Sequence, residues 1–197
     1  MNALAIIHGE HRNLSSVLFC LGSLVTDIEK HNVKPDCRVF HAIANYIESF
    51  LDQYHHPKED EYLFPAIARQ YPRAQPLIDA LEEQHNRGTE LLHRVRRKLA
   101  TYEYVGADAF IPFRDAARDY INFQREHIRK EETELMPLAR EHLQVSDWKP
   151  IDEAFLAHTD PLFGEARKKE FEILYSTIIR LAPAPHGFAA EWQQQPQ

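Results

Sequence analysis

Two stretches of this chain decide its fold: residues 55–65 read HHPKEDEYLFP, and residues 127–137 read HIRKEETELMP. They align without a gap, and both match the pattern H-x-x-K-E-x-x-x-L-x-P. The helices before them also correspond, since the EH pair at residues 10–11 is matched by the QH pair at residues 84–85. The sequence therefore predicts a duplicated pair of helices.

The spacing within each stretch places histidine and glutamate on one face of a helix. At about 100° per residue, Glu59 lies about 40° around the helix from His55 and one turn along it. His127 and Glu131 repeat this spacing. Each such pair can face one metal ion, and a duplication of the helix pair brings two such faces together. The pattern is typical of a dinuclear metal site.

Apolar residues recur at three- and four-residue intervals through most of the first 145 residues, without the alternation that marks strands. The chain therefore belongs to the all-α class. We expect four long helices: from Ala3 to about His31, from the N-cap Asp36 through a bend at Pro57, from Leu77 to Tyr102, and from Asp108 to about His142. The short loops between them favour an up-down-up-down four-helix bundle over residues 1–145.

The pattern changes after Gln144. Residues 146–182 are expected to form a helical annex packed on the bundle, with Ser146 capping a short helix and an apolar helix from about Leu162 to Leu181. That apolar helix is expected to cover the bundle or to form the surface of a homodimer. Residues 183–197 are rich in Pro and Gln, which predicts a mobile tail.

Composition excludes several classes of partner. The chain has 23 Lys+Arg against 30 Asp+Glu and a net charge of -7, which disfavours nucleic acid. The two cysteines, Cys20 and Cys37, suggest neither a disulfide framework nor a thiolate metal site, and they fit a reducing compartment. The N-terminal residues lack a secretory pattern, and no apolar run reaches the ~18 residues of a membrane span. We expect a cytoplasmic protein that does not contact a membrane.

The expected metal ligands are histidine nitrogens and carboxylate oxygens. The terminal ligands are His11, His55, His85 and His127, and the bridging ligands are Glu59 and Glu131. This set suits iron, with manganese and zinc as the other candidates, and its lack of thiolates excludes iron–sulfur and blue-copper sites. His56 extends the set, giving one ion three nitrogens and the other two. A bridging oxo or hydroxo group then leaves an open position for a small diatomic molecule.

The polar residues around this set are expected to have supporting positions. Four acids are interpreted as solvated charges or as acceptors of hydrogen bonds from the ligands: Asp60, Glu61, Glu132 and Glu134. His8 shares the helix face of His11 but is expected near the end of the bundle. Lys58 and Lys130 are expected to pair with acids on the outer face.

Over roughly residues 1–145, the chain resembles the hemerythrin-like proteins with the H-H-E cation-binding pattern, and the duplicated H-x-x-x-E-E/D-x-x-L-x-P is the specific part of the resemblance. The resemblance implies a four-helix bundle with two irons bridged by two carboxylates. Oxygen-carrying members have a further histidine four residues after the third-helix ligand, where this chain has Thr89. His93 lies roughly 12 Å along the axis from His85, too far to replace it. His56 is the better substitute, as in some regulatory members.

The leading functional hypothesis is a non-haem di-iron protein that binds or senses oxygen, nitric oxide or iron, because no nucleophile, phosphate loop or substrate motif accompanies the ligands. One alternative is an enzyme that uses the same centre for oxidation, peroxide removal or repair of damaged iron centres. A ferritin-like site needs two E-x-x-H pairs, and only Glu82 and His85 offer one. A bundle without metal is the remaining alternative.

Overall fold

The computed structural model describes residues 2–156, 173, 176–178 and 180–182. Every element in these residues is helical, which confirms the all-α prediction. The helices are α1 Asn2–His31, α2 Cys37–Phe50, α3 His56–Lys58, α4 Phe64–Gln70, α5 Gln75–Val105, α6 Phe110–Lys130, α7 Met136–His142 and α8 Val145–Leu156. Short 3-10 turns at Pro72–Ala74 and Ala107–Ala109 lead into α5 and α6.

The helix ends follow the local signals in the sequence. Asp36 is the N-cap of α2, and its side chain accepts a hydrogen bond from the backbone N–H of Arg38 at 3.0 Å. Asn32 ends α1 in the left-handed region, with φ of 46°, and Gly106 ends α5 with φ of 88°. These stops keep the connections between the long helices short.

Wider π turns join the shorter helices into two long helical segments, residues 37–70 and residues 110–142. The π turns are Leu51–His55, Glu59–Leu63 and Glu131–Leu135. In each one the closing N–H donates to the carbonyl five residues back, as Phe64 does to Glu59. A proline follows each π turn at the second residue: Pro57, Pro65 and Pro137. Pro57 does not end its helix, because the missing N–H donor coincides with a turn that is already irregular.

Two apolar cores lie along the long helices. Helix α1 packs against α2 and α6, and α5 also packs against α2 and α6. Along α1, residues 14–28 supply the first core and residues 3–7 the second, so the two cores occupy different depths. The same division occurs in the other long helices. Every long helix carries buried polar side chains between its two apolar stretches, which form a polar layer across the molecule.

Helix α8 closes the second core. It packs against α1, α3 and the π turn Glu59–Leu63, and its Trp148, Ile151 and Phe155 are buried there. The helix begins at Val145 rather than after a Ser146 cap, which the sequence analysis had wrong. The Asp147 carboxylate instead accepts a hydrogen bond from the Gln144 N–H at 2.9 Å.

Lys58 does not lie on the outer face as expected. Its Nζ is buried, 3.1 Å from the centroid of the Tyr54 ring and 5.3 Å from that of Phe155. An ammonium group over an aromatic face gains a cation–π attraction, and its apolar stem packs against its neighbours. Lys58 therefore connects the second long helix to α8.

The C-terminal predictions are only partly covered by the structure. Residues 173, 176–178, 180 and 181 of the predicted apolar helix are described, and they are helical. Ile178 and Ala182 are buried against the first core. The remaining residues of that helix, like the predicted tail at 183–197, lie outside the described residues. In the part of the chain that is described, no helix has the length and apolar character needed to cross a membrane.

The packing of α8 predicts a large difference between two adjacent residues. Phe155 is fully buried and Leu156 is 47% exposed. Phe155→Ala should lower the free energy of unfolding by about 3–5 kcal/mol, because it leaves a cavity in the second core. Leu156→Ala should change it by less than about 0.5 kcal/mol. Urea unfolding of the chelator-treated protein measures both, and equal losses would show that α8 is not packed as described.

Candidate metal centre

The polar layer brings together all seven residues that the sequence analysis singled out. They come from all four long helices and none is more than 6% exposed: His11, His55, His56, Glu59, His85, His127 and Glu131. Their side chains face one another between the two apolar cores. The layer is thus a single buried site and not a set of separate polar residues.

The seven side chains form two groups, each of which could hold a metal ion. The first group consists of His11, His55, Glu59 and Glu131, and the second of His56, His85 and His127. Within each group the candidate ligand atoms lie within 4.8 Å of one another. All of these atoms are nitrogen or oxygen, the donors that suit iron, manganese and zinc.

The two carboxylates face both groups at once. Oε1 of Glu59 lies 3.4 Å from Nε2 of His55, and its Oε2 lies 3.7 Å from Nε2 of His85. Glu131 divides its oxygens in the same way, with Oε2 3.2 Å from Nε2 of His11 and Oε1 3.7 Å from Nε2 of His85. Each carboxylate presents one oxygen to each group, which is the disposition of a bridging ligand.

Four of the histidines point their other ring nitrogen away from the centre, toward an acceptor. The Nδ1 pairs are His11 with Glu132 at 3.1 Å, His55 with Glu10 at 2.8 Å, His85 with Asp60 at 2.9 Å and His127 with Gln84 at 3.1 Å. A neutral imidazole that donates its Nδ1–H outward keeps the Nε2 lone pair free. The outer partners thereby fix the tautomer that a metal requires.

These outer partners follow the internal repeat. Glu10 and Gln84 precede the histidines of α1 and α5, and each accepts from a histidine of the neighbouring helix. Asp60 and Glu132 are equivalent in the same way and act as the expected acceptors. Sequence reasoning had aligned Glu10 with Gln84 but assigned neither a function. Their only signal was their position beside a candidate ligand. The other two acids, Glu61 and Glu134, are exposed.

His56 has no equivalent in the second half, where Ile128 stands. Its ring stacks on that of His85, with centroids 3.8 Å apart and planes inclined by 10°. Its Nδ1 lies 4.0 Å from Asp52, longer than a hydrogen bond. Asp52 also interacts with Thr89, the residue at the position where the oxygen carriers have a histidine. Sequence reasoning did not identify Asp52.

His8 lies outside both groups. Its Nδ1 is 3.2 Å from Glu132, and its Nε2 accepts a hydrogen bond from Arg140 at 2.8 Å. The side chain therefore supports the outer partner of His11 and does not enter the centre.

The two buried carboxyl groups have opposite pKa shifts. Burial raises the pKa of Glu59 well above its usual value, and the charge of Glu131 raises it further. Burial alone would also raise the pKa of Glu131, but the imidazoles of His127, His11 and His85 outweigh it and hold that pKa well below its usual value. Without a metal, these shifts favour a proton on Glu59 and a charge on Glu131.

The histidines of the second group differ in their pKa values. Burial lowers the pKa of His127 to about 4, and burial with nearby imidazoles lowers the pKa of His56 well below its usual value. Burial would lower the pKa of His85 too, but Asp60 and Glu131 outweigh it and raise the pKa to about 9. His56 and His127 are therefore neutral at pH 7 and have lone pairs to donate.

Several buried polar atoms at the centre have no hydrogen-bond partner among the described residues. They are both carboxylate oxygens of Glu59 and of Glu131, and Nε2 of His56, His85 and His127. A buried polar atom without a partner costs about 1–3 kcal/mol. Their convergence fits bound cations, because metal ions in the two groups would accept electron pairs from these atoms.

Comparisons with known proteins agree with this chemistry. The model of the family described as the hemerythrin HHE cation binding domain matches residues 2–139. Curated relatives include uncharacterized proteins of Mycobacterium bovis and of two strains of Mycobacterium tuberculosis, each 27% identical over 161 residues. The match covers 80% of this chain and 61% of each relative, so the chain spans about three fifths of their length. No solved structure matches the chain.

The raised pKa of Glu59 leads to a prediction for Glu59→Gln. Because burial and the charge of Glu131 raise the pKa of Glu59 and favour its neutral form in the metal-free protein, a neutral glutamine of the same shape should change the unfolding free energy there by less than about 1 kcal/mol. Metal binding needs the carboxylate, so the metal content should fall. Elemental analysis and thermal melting in chelator measure both effects. The exposed neighbour Glu61→Gln is the control, and an unchanged metal content in Glu59→Gln would contradict the assignment.

Proposed function

The chain belongs to the hemerythrin HHE cation-binding family, and from that premise we propose that its polar layer holds two iron ions. The observation that carries this proposal is the orientation of the carboxylates. Glu59 and Glu131 each direct one oxygen to the first group and one to the second. A single ion would use only one side of this arrangement.

The proposed ligands follow the two groups. One ion would be held by two imidazoles and the other by three, with both carboxylates shared: His11 and His55 for the first, His56, His85 and His127 for the second, and Glu59 and Glu131 as bridges. Two divalent ions would neutralise two carboxylates that burial otherwise disfavours as anions. The same donors accept manganese or zinc, so availability in the cell contributes to the choice of metal.

The proposal includes the finer architecture. An up-down-up-down bundle over residues 1–145 would place one ligand-bearing helix at each corner of the centre, and residues 146–182 would be an annex. The packing of α1 and α5 against both α2 and α6 supports the bundle. The burial of α8 and of Ile178 supports the annex.

Within this class, we propose uptake of a small molecule such as oxygen or nitric oxide, or sensing of iron itself. A di-iron centre, when bound, would supply reversible electron transfer and could bind a small molecule. The first group offers two imidazoles and the second three, so the first leaves more room for a small ligand. The apolar cores on both sides exclude water, and Glu10 and Glu132 keep the imidazoles of His55 and His11 oriented.

The decisive experiment is elemental analysis with visible spectroscopy on protein from iron-supplemented cells, before and after exposure to oxygen. We expect about two irons per chain, because two groups of donors share two bridging carboxylates. A reversible spectral change with oxygen would support binding. Continuous consumption of oxygen or peroxide would favour the di-iron enzyme instead. Protein that takes up no iron under anaerobic reconstitution would overturn the proposal.

The third imidazole of the second group gives a further prediction. His56→Ile copies the residue at the equivalent position, Ile128, and removes one donor from the second ion. One of the two irons should then bind about 10-fold or more weakly, while the other is retained. Iron competition with a chelator measures this change. His93→Ala alters a histidine that is 51% exposed and should leave both irons in place. Equal retention of both irons by His56→Ile would exclude His56 as a ligand.

A further inference from the structure

The two halves of the duplicated centre differ in one outer partner. Nδ1 of His55 donates to the carboxylate of Glu10 at 2.8 Å, whereas Nδ1 of His127 donates to the amide oxygen of Gln84 at 3.1 Å. Glu10 and Gln84 occupy equivalent places in the repeat. The same geometric role is therefore filled by an anion in the first half and by a neutral group in the second.

The difference extends over the whole set of outer partners. In the first group both imidazoles donate to carboxylates, since His11 donates to Glu132 at 3.1 Å and His55 to Glu10. In the second group, among the described residues, only His85 has a carboxylate at hydrogen-bond distance from its outward Nδ1, Asp60 at 2.9 Å. The group with fewer nitrogens thus has the more strongly polarised imidazoles.

A carboxylate acceptor changes the imidazole that donates to it. The charge-assisted hydrogen bond is stronger than a bond to a neutral amide, and it shifts electron density toward Nε2. A ring backed by a carboxylate is therefore a more basic ligand and stabilises positive charge on its metal more strongly. An amide orients the ring equally well but supplies less of this effect.

We propose that Glu10 and Gln84 are positioning residues that make the two metal positions chemically inequivalent. Glu10, acting through His55, strengthens the metal position of His11 and His55 and compensates for its missing third imidazole. Gln84, acting through His127, leaves the richer position without that added charge. This inference rests on the proposed two-metal function. It states that the outer partners Glu10 and Gln84 set the difference in metal affinity between the two positions.

Cobalt(II) is the probe, because it binds nitrogen and oxygen ligands and has a visible spectrum. Anaerobic titration of the full chain against a competing chelator gives the number of cobalt ions bound and the dissociation constant of each. We expect Glu10→Gln to raise one constant about 10- to 100-fold and to leave the other unchanged. Glutamine keeps an oxygen that accepts from His55, so a purely orienting role for Glu10 would leave both constants at their wild-type values.

The repeat provides matched controls. Gln84→Glu adds a carboxylate to the other half and should lower one constant and raise neither. The double variant Glu10→Gln/Gln84→Glu restores the total charge, and the constant raised by Glu10→Gln should stay raised. Thermal melting of each metal-free variant shows whether the fold is kept. These controls separate a local hydrogen bond from a general change in charge.

The outcomes separate this inference from the proposed function. Two cobalt ions per chain with wild-type constants in Glu10→Gln would overturn the inference and leave the two-metal function standing. Restoration of both wild-type constants in the double variant would also overturn it, because total charge would then be the cause. Failure of the wild-type chain to bind two ions would overturn both.

Discussion

The structure depends on one constraint, the burial of Glu59 and Glu131 in a layer where neither has any exposed surface. Moving a carboxylate out of water costs several kcal/mol unless a proton or a cation compensates. In the metal-free protein, the raised pKa of Glu59 favours its neutral form, and the imidazoles around Glu131 stabilise that carboxylate. A bound metal would take the place of the proton on Glu59, and the imidazoles would become its ligands. The burial of apolar side chains in the cores on both sides stabilises the fold and offsets the cost of this polar layer.

Two of the three π turns in the described part of the chain begin at the buried carboxylates of the centre. Glu59 and Glu131 each begin a π turn, while Leu63 and Leu135, four residues later, are fully buried in the second core. A π turn contains one more residue than a regular turn and rotates the following residues relative to the preceding ones. Each of these two segments carries a buried carboxylate and, four residues later, a buried leucine of the second core.

The features that could be predicted from the sequence are those that depend on the spacing of residues within one helix. The spacing of His55 and Glu59, repeated at residues 127 and 131, was enough to predict that these side chains share one face, because helical periodicity alone places them there. Not all hydrogen-bond acceptors of the histidines could be predicted, since the bond from His55 to Glu10 joins residues 45 apart in the sequence. The burial of Lys58 was missed for the same reason, because Phe155 of α8 covers it. The π turns also depend on packing, and a charged or apolar residue pattern does not distinguish them from α-helix.

The positions at which the two halves of the repeat differ indicate where the two proposed metal positions would differ. An unaltered repeat would surround both positions with the same groups. The second half lacks His56, lacks Pro57 and has regular α-helix where the first half has the π turn Leu51–His55. These three differences fall within seven consecutive residues. A π turn and a proline next to an additional histidine change the backbone and a proposed ligand in the same place. The asymmetry between the two halves therefore lies within the helical segment of residues 37–70. It does not require a rearrangement of the other three long helices.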